Sequence, residues 1–311
     1  MVRALNLEIS EVVTQVTNAF HESALAAPPA PEADADTERA ALAFERTRAA
    51  MGPVMAELLA TTQHAEDPLL VDIALKADMV GFAAEIASAW DFQHQSQAVF
   101  TGVYKQMLRS EPHPVAGQWR AHAQKYSKQR LYNGRDLAPG FAHQLAERIA
   151  DLLTVCGAPA APDAIYALYA PRLLSIVRTA LALQRAAGED VTACDYEVLV
   201  ARFDEPFDAA RMEDIYSGEL AADADAAGAH APRVLTTADL GLRRVEKVPG
   251  SAEGELVCTM LLKPKVVLDT VIYELGLLDD VDEDGDAPPE ATAEETEAEA
   301  EAEVQVQAYD V

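Results

Sequence analysis

The stretch PGFAHQLAERIADLLTVC, residues 139–156, sets Phe141, Leu145, Ile149, Leu152 and Cys156 three or four positions apart. An α-helix turns once every 3.6 residues, so this spacing gathers the apolar side chains into one stripe that must be buried. Pro139 opens the stretch, a position where its missing N–H does no harm. It is the clearest amphipathic helix in the chain, and it predicts a helical fold.

The same period extends in both directions. Leu5, Leu7, Ile9, Val12, Val13 and Val16 suggest a helix over 3–21, followed by a Pro/Ala-rich linker, AAPPAPEADAD, at 26–36. Thr37 reads as the cap of a helix running to about Thr61, and Pro68 as the start of another that continues to Trp90. A helix over 93–110 ends before Pro112-His113-Pro114, and a basic helix over 115–131 stops at the turn Asn133-Gly134. The apolar run 163–187 contains Pro171, which predicts a kink or two helices. Thr192 with Asp195 resembles a cap for a helix over 193–203, and Pro206 begins a short one ending near Tyr216. After a second linker, 218–232, the runs 240–248 and 255–262 suggest a β-hairpin, and 266–278 a helix or strand.

The expected fold is therefore mainly α: an array of seven or eight helices with a small β-hairpin/helix appendix and a disordered acidic tail. The expected divisions are an N-terminal helical arm at 1–25, a linker at 26–37, a helical core at 38–217, a linker at 218–232, a hairpin plus helix at 233–278, and the tail at 279–311. Abundant alanine and few aromatics agree with helix over sheet.

The chain of 311 residues carries a net charge of −28. From Val266 onward there are 16 acids and no Lys or Arg, so this end supplies more than half of the charge. Such composition buries too little apolar surface to fold alone. Asp280, Asp282, Asp284, Gly285 and Asp286 imitate the first half of an EF-hand loop, but the twelfth position is Ala291 and Pro288-Pro289 cut the second half. The run reads as solvated acid.

Residues 92–135 have the opposite sign. Lys105, Arg109, Arg120, Lys125, Lys128, Arg130 and Arg135 stand against one acid, Glu111, for a local charge of +6. Phe92, Phe100, Tyr104, Trp119, Tyr126 and Tyr132 lie among them. Cations that displace counterions and rings that stack on bases are what a nucleic acid needs, and the same cations suit an acidic protein segment. On a helix Arg120, Gln124, Lys128 and Leu131 share one side, and Tyr126 and Arg130 form an (i, i+4) pair. The candidate binding residues are Lys105, Arg109, Trp119, Arg120, Lys125, Tyr126, Lys128, Arg130, Tyr132 and Arg135.

Catalytic and metal motifs are missing. There is no P-loop, GxSxG, GxGxxG after a strand, HExxH or kinase signature, and Cys156, Cys194 and Cys258 are too dispersed for a zinc site or a disulfide framework. Asp204, Glu205 and Asp208 around Pro206 read as acids at a helix N-terminus. No catalytic residue, metal or cofactor is assigned. No apolar run approaches the roughly 18 residues that cross a bilayer, and Glu8 and Glu11 interrupt any secretory leader, so an intracellular protein without a membrane partner is expected.

These features point to a non-enzymatic, self-associating interaction or assembly protein. Its basic–aromatic island would accept acidic segments, such as the tail in cis or from another subunit. The second reading is a nucleic-acid-binding protein with an autoinhibitory acidic tail. The third is an enzyme with no recognisable motif.

Overall fold

The computed structural model describes residues 1–26, 34–92, 97–216, 231–248 and 255–275. The chain is mainly helical, as its periodicity predicts. In order come α1 (Val2–Ala26), α2 (Asp34–Met51), α3 (Pro53–Thr61), α4 (Leu69–Ser88), α5 (Gln97–Ser110), α6 (His113–Tyr132), α7 (Ala138–Val155) and α8 (Pro162–Arg185). A π turn (Ala186–Asp190) then leads into β1 (Asp195–Leu199), β2 (Glu213–Asp214), β3 (Val234–Asp239), β4 (Gly241–Lys247), β5 (Leu256–Leu262), β6 (Lys265–Leu268) and the short α9 (Thr270–Glu274).

The deciding stretch forms α7. Leu145, Ile149, Leu152 and the alanines beside them are buried, and Phe141 meets Phe82 and Phe92 edge to face at centroid distances of 6.2 and 5.2 Å. α7 packs on α8, α2 and α4. α4 is the central helix, apolar on nearly every side, which is the pattern of a fully surrounded element. Its one buried acid, Asp78, receives Arg148 of α7 through Nη2 at 2.7 Å and Nε at 2.9 Å.

The strands form two three-stranded sheets, ordered β1-β4-β5 and β2-β6-β3. The first is antiparallel throughout, with Asp195 opposite Val245 and Lys247 opposite Leu256. In the second, β3 runs antiparallel and β2 parallel to β6.

Several expectations change. The segment 1–25 is no tethered arm: Val2, Leu5, Ile9, Val12, Val13, Val16 and Phe20 lie in the main core, with α1 packed on α4 and α8. Asn6 fastens it further, donating to the carbonyl of Leu240 and accepting the Leu240 N–H, both at 3.1 Å. The described part of 233–278 packs on the helical body, where Leu235, Ala238, Leu240, Val267, Val271 and Ile272 join the same core. Met1–Leu277 is one compact unit.

The helix read from Thr37 to Thr61 is two, because Gly52 sits at φ +88° and Pro53 cannot donate to the preceding turn. The run 163–187 is one helix through Pro171 rather than two, closing in the π turn. The helix expected over 193–203 is instead β1. Asp195, read as part of a capping signal, is engaged by Arg120 and Tyr104, and the backbone pairs with β4. Pro206 opens no helix: it bridges to Arg233, and the following residues turn into β2. Asp204, expected at a helix N-terminus, pairs with Arg233. The stretch 266–278 is a strand and then a helix as far as it is described. The acidic tail and most of both linkers lie outside the described residues, although α2 already begins at Asp34. No helix among the described residues is long and apolar enough to cross a membrane.

Candidate docking face and the polar network behind it

α5 and α6 are joined only by Glu111 and Pro112. α6 begins with prolines at 112 and 114, where no intrahelical N–H is required, and ends in left-handed Asn133 and Gly134. The carbonyls at the end of α5 would lack partners. Lys247 of β4 supplies one, its Nζ donating to the Glu111 oxygen at 2.8 Å and the Arg109 oxygen at 3.3 Å. The helix pair is thereby tied to the first sheet.

The structure divides the ten candidate residues in two. Arg120, Gln124 and Lys128 do share one side of α6, but that side is turned inward. Arg120 is 5% exposed. It forms an ion pair with Asp195, donates through Nε to the Gly188 carbonyl at 3.3 Å and through Nη2 to Val191, and donates through Nη1 to the Tyr104 hydroxyl at 3.1 Å. Lys128 is paired with Glu189 and donates to Gln184 at 2.7 Å. Gln184 in turn donates to Gln124 and to the Ala89 carbonyl. These side chains fasten α6 to α8 and the π turn, so neither Arg120 nor Lys128 is a free phosphate contact. Gly117 allows the close approach, because a Cβ there would be driven into the Thr192 carbonyl.

The aromatics follow the same division. Trp119 packs with Trp90, Phe100 and Tyr104, at 5.8 Å from Trp90 and stacked within 10° of Tyr104. Tyr132 lies against Phe92 at 5.7 Å, and its hydroxyl accepts the Phe92 N–H at 2.9 Å. Both rings are half-buried in these contacts. Tyr126 is far more open, at 60% exposed, with the His122 ring beside it at 6.0 Å.

Lys105, Arg109, Lys125, Arg130 and Arg135 remain outside. All are exposed, and none is ion-paired with an acid among the described residues. Lys105 and Arg109 lie one turn apart on α5, while Lys125, Tyr126 and Arg130 occupy the solvent side of α6.

Behind the face, four polar side chains converge. The Tyr104 hydroxyl donates to Asp195 Oδ1 at 2.6 Å, and His113 Nε2 faces the same oxygen from 3.4 Å without the alignment of a full hydrogen bond. His113 Nδ1 accepts the Lys247 N–H at 3.2 Å, so the ring proton belongs on Nε2. Burial, reinforced by the Arg120 charge, holds His113 below the usual histidine range, whereas burial pushes the Tyr104 hydroxyl up to about 12. Arg120 is lowered by burial as well.

This cluster borders a cleft of about 830 Å³ between the α5–α6 turn and the sheet, lined by Glu111, Pro112, His113, Ala193, Glu246 and Val257 among others. Asp, His and Tyr in one place resemble acid–base machinery. General-base catalysis, however, needs a nitrogen within reach of a substrate proton, and both His113 nitrogens already face protein partners. Ser110 at the rim donates to the Gln106 carbonyl instead of to a base. A smaller cavity, about 350 Å³, is bordered by Arg46, Asp78, Glu85, Arg148 and Asp151, and its charges are matched in Arg46–Asp151 and Arg148–Asp78–Glu85 pairs.

No family model matches this chain, and neither a curated protein nor a solved structure does. One local signal marks the inward stripe in the sequence: Arg120, Gln124 and Lys128 share the helix with Ala116, Gly117 and Ala121, small residues that permit close packing.

Proposed function

We propose that this chain is a non-enzymatic interaction protein that docks an acidic protein segment on the solvent face of α5 and α6. The observation that carries the reading is the five-cation set Lys105, Arg109, Lys125, Arg130 and Arg135, exposed and without acid partners among the described residues. In a chain of net charge −28, such a face is a local reversal of sign that attracts polyanions and steers their approach. Trp119 and Tyr132 are half-buried against other rings and Tyr126 is the most exposed ring of the island among the described residues, which supports an acidic peptide over stacked bases. The His113 Nδ1 lone pair, already taken by the Lys247 N–H, speaks against a general base at this place.

The test is fluorescence anisotropy of a labelled glutamate-rich peptide and of a single-stranded oligonucleotide with the full chain across a salt series. The peptide should bind at low salt and release as the Debye length falls below about 10 Å near 0.1 M. K125A/R130A should weaken that binding, and K105A/R109A should do the same. Peptide binding that ignores both pairs, or no binding at low salt, removes this reading. Tighter binding of the oligonucleotide replaces it with a nucleic-acid one.

A further inference from the structure

α5 reads QAVFTGVYKQMLRS over Gln97–Ser110 and contains no acid. It packs chiefly on α6, turning Tyr104 and Leu108 inward with Phe100 and Met107 beside them. Its opposite side is open. Val99, Gly102, Val103 and Gln106 follow the i, i+3, i+4, i+7 spacing that lines one face of a helix. All four are exposed, Val99 at 65% and Val103 at 41%. A Cβ added at Gly102 would meet nothing within 4 Å, so the backbone there is open to close approach from outside. Helical period places Lys105 and Arg109, one turn apart, along one edge of this stripe. An uncharged, partly apolar stripe and a basic edge thus lie side by side on one helix.

We infer that α5 receives an amphipathic acidic helix of another protein, whose apolar ridge lies on Val99, Gly102 and Val103 and whose acids line the Lys105–Arg109 edge. This rests on the docking reading above and narrows it, from an acidic segment to a helix with acids along one flank of an apolar stripe. Charge selects the occupant. A second copy of this face would bring the same cations against one another, whereas carboxylates complement them. Spacing selects the shape. A partner helix presents its apolar side chains at i, i+3, i+4 and i+7, as the stripe of α5 does, and the missing Cβ of Gly102 lets the two helices close up. An extended acidic segment alternates its side chains with a period of two and does not match that spacing. Lys105 and Arg109 then steer the partner and set which way its acidic flank lies, while the valines hold it once it has docked.

Fluorescence anisotropy with the full chain compares two labelled peptides of identical composition, built only from Glu, Leu and Ala. In one, the leucines stand at i, i+3, i+4 and i+7 with the glutamates along one flank. In the other the order is shuffled so that the leucines share no face. Both carry the same charge, so charge alone cannot separate them. The amphipathic peptide should bind about tenfold tighter, through apolar surface that only it can bury against the stripe. V99N/V103N should bring the two affinities within about twofold of each other. Both side chains are exposed, so the far-UV spectrum should not change. G102L fills the open position without removing a contact, suits a helix better than glycine, and should abolish the preference in the same way. Equal affinity for the two peptides, or a preference that survives both V99N/V103N and G102L, overturns the inference and leaves the docking of an acidic segment standing. No binding of either peptide at low salt removes that earlier reading and this one with it.

Discussion

Arg120, in the middle of α6, and Asp195, at the first residue of β1, form an ion pair in which the side chains are 6% and 9% exposed. The pair closes α6 onto the segment that links the π turn to the first sheet. Tyr104 and His113 face the same carboxylate. Removing one member of a buried pair leaves the other charge without compensation. R120A and D195A are therefore each expected to lose about 3–5 kcal/mol of stability. R120A/D195A should lose far less than the sum, since both single changes remove one interaction. Urea unfolding midpoints of the four proteins check this, and additive losses would show that the pair is not coupled.

The place of α1 gives a second prediction. Its seven buried apolar side chains, from Val2 to Phe20, are each worth about 1.5–3 kcal/mol of burial, and together they rival the roughly 5–15 kcal/mol that holds a typical domain. Deleting 1–25 should leave an unfolded or aggregated chain by circular dichroism, whereas an appended arm could be removed without effect. The single change N6A should cost about 1–3 kcal/mol for each Leu240 backbone group left without its partner.

His113 sets a pH dependence. Its folded pKa is depressed, chiefly by burial, so between that value and the ordinary one near 6.5 the unfolded chain binds the proton more readily. The stability associated with neutral His113 is complete above about pH 6.5 and is lost as pH falls through the depressed value. The urea midpoint should fall on acidification, and H113N should flatten that fall. An equal acid loss in both proteins would assign it to other groups.

Close packing of α6 makes Gly117 a sensitive position. A methyl group there meets the Thr192 backbone rather than a side chain that can swing away. G117A should lower stability by about 1–3 kcal/mol, although alanine is the better helix former. A thermal melt decides it, and a rise in midpoint would mean that the 192 segment yields easily.

Thiol chemistry offers a fifth check. Burial pushes the Cys156 thiol up to about 12, and Cys194 is buried, while Cys258 is exposed. Because the thiolate is the reacting species, a thiol reagent near neutral pH should leave Cys156 and Cys194 untouched until the protein unfolds. Rapid modification of all three in native buffer would contradict the packing around α7 and β1.

Local pattern settled much of this protein before any contact was known. The spacing of Phe141, Leu145, Ile149, Leu152 and Cys156 made α7 legible, Asn133-Gly134 marked the end of α6, and the runs around 240–262 became the β4–β5 hairpin. Each is a short-range property, written in helical period, turn chemistry or alternation. β1 was not legible, because its pairing partner lies near residue 245 and its Asp195 is held by Arg120, both far away in sequence. The basic island shows the same division. Its sign, +6 over 92–135, is a sum over neighbouring residues and needs no fold. Which cations face outward was decided only when α6 met α8 and the π turn, where burial drew Arg120 to Asp195 and Lys128 to Glu189 and left Lys105, Arg109, Lys125, Arg130 and Arg135 in water. Charge is local to the chain, while exposure belongs to the packed molecule.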